Sequence, residues 1–196
     1  IQANQPYRTR EIQGGILLEY DAQVLEIKGG VSHISMKKAK EIFDKELAGK
    51  SFDALQSAAK EIWEAQLGRV RVEGNTQDMQ TVFYTGLYRT FLRMVDYAEY
   101  GQYRGIDGKI YEGEHFYCDD GIWDTFRCMH PLQLLLEPAR QEDIMTSYLR
   151  MYEQSGSLPS FPRLEGDRPA MLGFHAIASL ADAAAKGLKL DYALAL

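Results

Sequence analysis

The chain has 196 residues, 45% of them hydrophobic and 26% charged, which is the composition of an ordinary globular protein long enough to bury a core. A net charge of −6 argues against a nucleic-acid partner, because neutralising phosphate needs a concentrated Lys/Arg face. No run of about 18 apolar residues is present to span a membrane.

From the N-terminus, roughly the first 35 residues read as strands. Gly14-Gly15 breaks the chain before Ile16-Leu17-Leu18, and Val24-Leu25-Glu26-Ile27-Lys28 alternates from Leu25 onward. Gly29-Gly30 then precedes Val31-Ser32-His33-Ile34. Two or three strands are marginal by themselves, so this segment is expected to be the last part of a larger sheet. The chain opens on Ile1 rather than Met, and residues 191–196 carry an apolar pattern without a stop signal or polar tail. Both ends are those expected of a trimmed or partial chain.

Helical periodicity begins after Ser35. Residues 37–47 place Ala39, Ile42, Phe43 and Leu47 on one face. Ser51 reads as the N-cap of a helix carrying Leu55, Ala58, Ala59, Ile62, Trp63 and Leu67. Thr76 reads as the cap of a third helix, with Met79, Val82, Phe83, Gly86, Leu87 and Phe91 facing inward. Periodicity disappears over residues 97–121, where five glycines and five tyrosines predict a long irregular segment of functional character. Many of the chain's 12 Tyr, eight Phe and two Trp cluster between Phe83 and Phe126. Aromatic rings beside polar groups suit sugars, although a Tyr-rich core accounts for the composition equally well.

Three more helices follow: residues 121–136, with Pro131 bending or restarting the run; residues 140–154, stopped by Gly156; and residues 169–186, closed by Gly187. Helices joined by alternately short and elaborate loops predict a mainly α protein of α/α bundle or toroid type. Cys118 and Cys128 have neither zinc spacing nor the arrangement of a disulfide framework.

The densest polar and aromatic cluster is Asp119-Asp120-Gly121-Ile122-Trp123-Asp124-Thr125-Phe126-Arg127-Cys128-Met129-His130-Pro131. It lies where the Tyr/Gly-rich segment enters a helix. Trp123 and Asp124 at that helix mouth put a ring beside a carboxylate, which is how a monosaccharide is held: apolar packing for one face, an acceptor pair for vicinal hydroxyls. The alternative is structural, with Asp119 or Asp120 as a helix cap, Asp124 paired to Arg127, and Trp123 as core. The residues alone leave both open. A second set, His175, Ser179 and Asp182, shares one face of an otherwise apolar helix, where polar groups must be satisfied; a hydrogen-bond chain to a neighbouring helix is the expectation. No Gly-x-Ser-x-Gly elbow, phosphate loop, dinucleotide glycine pattern or His-Glu-x-x-His occurs, and His33, His115, His130 and His175 are too scattered for a transition-metal site to be argued from spacing.

At Trp123-Asp124-Thr125-Phe126-Arg127 with His130-Pro131, the sequence resembles glycoside hydrolase family 92, the calcium-dependent exo-acting α-mannosidases. The likeness extends in order over about residues 30 to 190: Val31-Ser32-His33-Ile34-Ser35 upstream, then Val82-Phe83-Tyr84-Thr85-Gly86-Leu87-Tyr88-Arg89-Thr90, and downstream Gly156-Ser157-Leu158-Pro159, Met171-Leu172-Gly173-Phe174-His175 and Asp182-Ala183-Ala184-Ala185-Lys186-Gly187. The resemblance implies a partial α/α toroid of the (α/α)6 type, residues 36–196, preceded by the last strands of a β-sandwich and linker, residues 1–35. It implies an inverting hydrolysis of terminal α-mannose from glycans, with a carboxyl pair about 6.5–9.5 Å apart to seat the attacking water. Trp123 and Asp124 resemble residues that line the subsite for the terminal mannose. No residue of this chain matches the family's catalytic acid, base or metal-ligand motifs, which lie further along. Calcium, the rest of the same catalytic domain and a periplasmic or secreted location are implied by the family in the same way. Competing expectations are another inverting toroid glycosidase of glucosidase or trehalase type, and a noncatalytic carbohydrate-binding or scaffold piece.

Overall fold

A computed structural model describes every residue except 75, 169, 172, 192 and 194–196. The chain divides into two compact units, Ile1–Ile62 and Trp63–Leu196. The protein is mainly α, with seven helices and ten short strands among the described residues.

In the first unit, β1 (Gln2–Ala3) pairs antiparallel with β4 (Ile27–Lys28), and β2 (Tyr7–Ile12) with β3 (Gly15–Tyr20). The second pair is a hairpin whose register, Tyr7 opposite Tyr20 and Ile12 opposite Gly15, leaves Gln13-Gly14 as a two-residue turn. Alternation had predicted a strand over 24–28, but only Ile27 and Lys28 pair. Residues 31–34 form no strand. There the Ser32 hydroxyl accepts from the amides of Ile34 (2.9 Å) and Ser35 (3.2 Å), a local turn that competes with strand pairing.

Helix α1 (Met36–Glu46) starts as its sequence requires, with the Ser35 hydroxyl accepting from the Lys38 amide at 3.1 Å. Ala39, Ile42, Phe43 and Leu47 form its half-buried face. Helix α2 (Phe52–Leu67) follows; Leu55, Trp63 and Leu67 are half-buried, whereas Ala58, Ala59 and Ile62 are exposed.

The second unit holds α3 (Gln77–Leu92), capped by Thr76 as expected. Its predicted inward face is mostly open: only Leu87 is buried, while Met79 and Val82 are 58% and 73% exposed. Residues 97–121 are mostly without regular structure, as missing periodicity predicted, but two short antiparallel pairs order the segment: β5 (Val95–Asp96) with β8 (Tyr117–Cys118) and, nested between them, β6 (Gln102–Arg104) with β7 (Ile110–Glu112). Strands of two or three residues are too short to show alternation.

The run at 121–136 is two helices, α4 (Ile122–Thr125) and α5 (Met129–Leu136), and the break falls at residues 126–128 rather than at Pro131. Pro131 sits in the first turn of α5, where a missing N–H is tolerated. Helix α6 (Pro138–Ser155) ends at Gly156, whose φ of 79° is left-handed, as the glycine stop signal predicts. β9 (Pro162–Arg163) and β10 (Gly166–Asp167) form a hairpin. Helix α7 (His175–Ala185) begins later than the expected residue 169, which lies outside the described residues, as do Leu172 and most of the apolar pattern over 191–196.

Helix α6 is the axis of this unit and packs on α5, α7 and β8. Its Ile144, Met145, Tyr148, Leu149 and Met151 are buried with Met94, Phe116, Ile122, Ala176, Leu180 and Ala183 in one core. Arg140, at the start of α6, locks the α3–β5 corner by donating to the carbonyls of Met94 (3.0 Å) and Phe91 (3.5 Å) and to Gln133 Oε1 (2.9 Å).

Candidate functional site

The site is built where β8 runs into α4. Asp119 follows β8 in a left-handed conformation, φ 67°, that turns its carboxylate away from that of the next residue. The amides of Asp119 and Asp120 both donate to the Pro162 carbonyl, at 3.1 and 3.4 Å, which ties the bend to β9. Outward, the Asp119 carboxylate meets Arg163 at 2.5 Å and Arg93 at 3.9 Å. Inward, Asp120 is completely buried.

Three donors satisfy that buried carboxylate. Thr125 Oγ1 lies 3.0 Å from Oδ1 and 3.1 Å from Oδ2, His130 Nε2 donates to Oδ2 at 3.0 Å, and the Tyr148 hydroxyl donates to Oδ2 as well. His130 Nδ1 accepts from Gln141 Nε2 at 3.1 Å, so the imidazole carries its hydrogen toward Asp120. A charge out of water is tolerated only when its lone pairs are met in this way. Burial, and then the adjacent Asp120 charge, push the Tyr148 hydroxyl well above the ordinary phenol range, so it remains a donor.

Above this network, α4 presents the two residues that the sequence singled out. Trp123 is half-buried, and its Nε1 is screened from solvent without a hydrogen-bond partner. Asp124 is exposed, and its carboxylate takes no hydrogen bond or ion pair from another side chain among the described residues. A β-carbon on Gly121 would stand 3.2 Å from Asp124 Oδ2 and 3.8 Å from Trp123 Nε1, so a donor and an acceptor converge over a residue without a side chain. The Asp124 carboxylate is thus open to solvent, while the indole N–H is buried without a partner.

The capping and ion-pair alternatives for this stretch are not formed, whereas Trp123 is half-buried with its Nε1 out of solvent, as a core side chain would be. The N-cap of α4 is Gly121 with no side-chain cap, so neither Asp119 nor Asp120 plays that part. Arg127 forms no ion pair with Asp124 and lies instead over the Phe126 ring, 5.2 Å from its centre. On α7, Ser179 donates to the His175 carbonyl at 3.2 Å, Asp182 pairs with Lys186 just past the helix end at 2.6 Å, and the His175 ring packs on Phe126 at 4.3 Å.

Sequence reasoning missed Gln141 and Tyr148. They stand seven residues apart, hence on one face of α6, and polar groups on the buried face of a helix were the available signal. Neither thiol is disulfide-bonded, and burial pushes Cys118 up to about 12, which keeps it a protonated, inert core group.

The Glycosyl hydrolase family 92 catalytic domain model matches residues 38–196. No curated protein matches the chain. Among solved structures, an inverting mannosidase of family GH92 from Bacteroides thetaiotaomicron is 30% identical with a TM-score of 0.85, over 99% of this chain and 30% of that one. A second structure, a GH92 α-mannosidase from the same organism, is 32% identical with a TM-score of 0.79, over 84% of this chain and 23% of that one. The chain thus spans less than a third of the length of either structure.

Proposed function

The chain belongs to glycosyl hydrolase family 92, and from that premise we propose that it is the first part of the catalytic domain of an exo-acting, inverting α-mannosidase whose terminal mannose is held by Trp123 and Asp124. The observation that carries the reading is the exposed, unpaired Asp124 carboxylate beside the half-buried Trp123 ring on the short helix α4. In this reading Asp124 accepts from two neighbouring sugar hydroxyls and the Trp123 ring packs against a C–H face. These contacts bind and orient the sugar. The acid and base that move protons belong to the remainder of the domain, and no residue here is assigned to that work.

Residues 1–35 are read as the end of a β-sandwich and its linker, and 36–196 as the start of an α/α toroid; the antiparallel pairs in the first segment and the helices after Ser35 support that division. No helix among the described residues is long and apolar enough to cross a membrane, and a periplasmic or secreted location is proposed from the family alone.

Calcium is part of the proposal through the family, and its fit to these residues is poor. Asp120 is occupied by three donors and Asp119 by two guanidinium groups, which leaves Asp124 as a single open carboxylate. No group of three His, Cys, Asp or Glu side chains converges among the described residues. Calcium prefers six to eight oxygens, so its ligands are assigned to the rest of the domain and no step is routed through it.

The test is hydrolysis of an aryl α-mannoside by the intact protein, with the anomer first released followed by NMR. Turnover that gives β-mannose is expected. Retention of configuration, or activity confined to glucosides, would refute the assignment.

A further inference from the structure

We propose that Asp120 is the positioning residue of the sugar site: through the Thr125 hydroxyl, its buried carboxylate holds the single turn that presents Trp123 and Asp124. This rests on the sugar-site reading above.

Helix α4 has four residues, too few to be stable by its own hydrogen bonds, and no side chain caps its N-terminus. Asp124 is exposed and unpaired, so nothing in its own surroundings fixes where its carboxylate points; its direction follows from the backbone of the turn. Beside the tie of the Asp119 and Asp120 amides to Pro162, two side chains of the turn anchor that backbone. Ile122 is sunk in the core, which fixes depth but not rotation. Thr125 supplies the directional tie, donating to Asp120 across both carboxylate oxygens.

Asp120 is itself fixed from two other elements, by His130 of α5 and Tyr148 of α6, and His130 is held in turn by Gln141 of α6. His130 and Tyr148 also approach each other, Nε2 to hydroxyl at 3.2 Å. The carboxylate thus joins α4, α5 and α6 at one fully buried point, one residue before Gly121. Apolar residues in place of this whole network would fill the core with less desolvation. What an apolar residue lacks is direction, and direction is what a turn bearing two sugar contacts requires.

The experiment measures kcat/KM on an aryl α-mannoside and the melting temperature of the intact protein for Thr125→Val, Thr125→Ser, Tyr148→Phe and Asp124→Asn. Thr125→Val keeps the shape of the side chain and removes the tie, and is expected to lower kcat/KM about tenfold or more. Thr125→Ser restores the hydroxyl and is expected to recover most of that loss. Tyr148→Phe removes a donor to Asp120 without touching the turn, and a smaller loss of the same sign is expected. Wild-type kinetics in folded Thr125→Val, with only a lowered melting temperature, would overturn the proposal and leave Asp120 a stability element. If Thr125→Val does not fold, Tyr148→Phe decides alone, and unchanged kinetics there overturn it equally. Asp124→Asn separates this failure from that of the underlying reading. Loss in Asp124→Asn without loss in Thr125→Val sinks only the positioning role, whereas no loss in Asp124→Asn sinks the sugar site and the positioning role with it.

Discussion

Two neighbouring aspartates show how differently one side-chain type is used within six residues. Asp120 has no exposed surface and three donors; Asp124 has open surface and none. The first is a group the fold has already satisfied, and the second is left to solvent. On the proposed reading, Asp124→Asn removes a charged acceptor worth about 1.5–3 kcal/mol. That corresponds to a loss of about 10- to 150-fold in kcat/KM. Because Asp124 is unpaired, its melting temperature is expected to stay at the wild-type value. A lowered melting temperature with unchanged kinetics would make Asp124 structural. A reshaped pH profile would indicate that it moves a proton, which the proposal denies it.

Between elements, the joints are made by polar side chains that bridge distant backbone. His115 is one such joint: its Nδ1 lies 2.6 Å from Asp96 Oδ2 in β5, and its Nε2 lies 3.9 Å from Asp143 in α6. The hydrogen bond to Asp96 is the largest cause that raises the imidazole above its ordinary 6.5, against a smaller opposing effect of burial; the charges of Asp96, Asp143 and Glu114 add to the rise. A base raised in the folded state stabilises the fold most when pH is below its unfolded value, and that contribution is lost as pH climbs through the raised folded value. The difference in melting temperature between the protein and His115→Gln is therefore expected to be larger near pH 6 than near pH 8.5. The pair is half-exposed, so the effect is small and shrinks with salt. A difference that grows with pH would show that His115 holds β5 and α6 in its neutral form. The same Asp96 carboxylate accepts from the Ala98 and Phe116 amides through its other oxygen, so the joint also shapes the loop that follows β5.

Taken whole, the chain leaves large apolar side chains in water: Leu135 is 78% exposed, Met171 72% and Phe174 85%. Together with Met79 and Val82 they are the surfaces expected of a piece whose neighbours lie elsewhere in a longer domain. Residues 1–196 expressed alone are accordingly expected to associate and to show no turnover of an aryl α-mannoside with calcium present. Light scattering and the same assay check both. A monodisperse monomer that turns over the mannoside would require an acid and a base within these residues, and would remove the reason for assigning them elsewhere.

The helix starts at Ser35 and Thr76, the stop at Gly156, the mainly α character and the family were all legible in the amino-acid sequence. Caps and stops act over three or four residues, so the residues that make them also announce them. The proposed roles of Trp123 and Asp124 rest on a local motif, a ring and a carboxylate side by side at a helix mouth, and await the mutational test. The pairing of Val95 with Cys118 was not legible, nor was the burial of Asp120 against Tyr148 from 28 residues away. Both depend on partners that local periodicity cannot reach: strands of two residues carry no alternation, and an aspartate reads the same in sequence whether it faces solvent or three buried donors. Only the packing of α4, α5 and α6 around one point decided which of the two aspartates is buried and which is exposed.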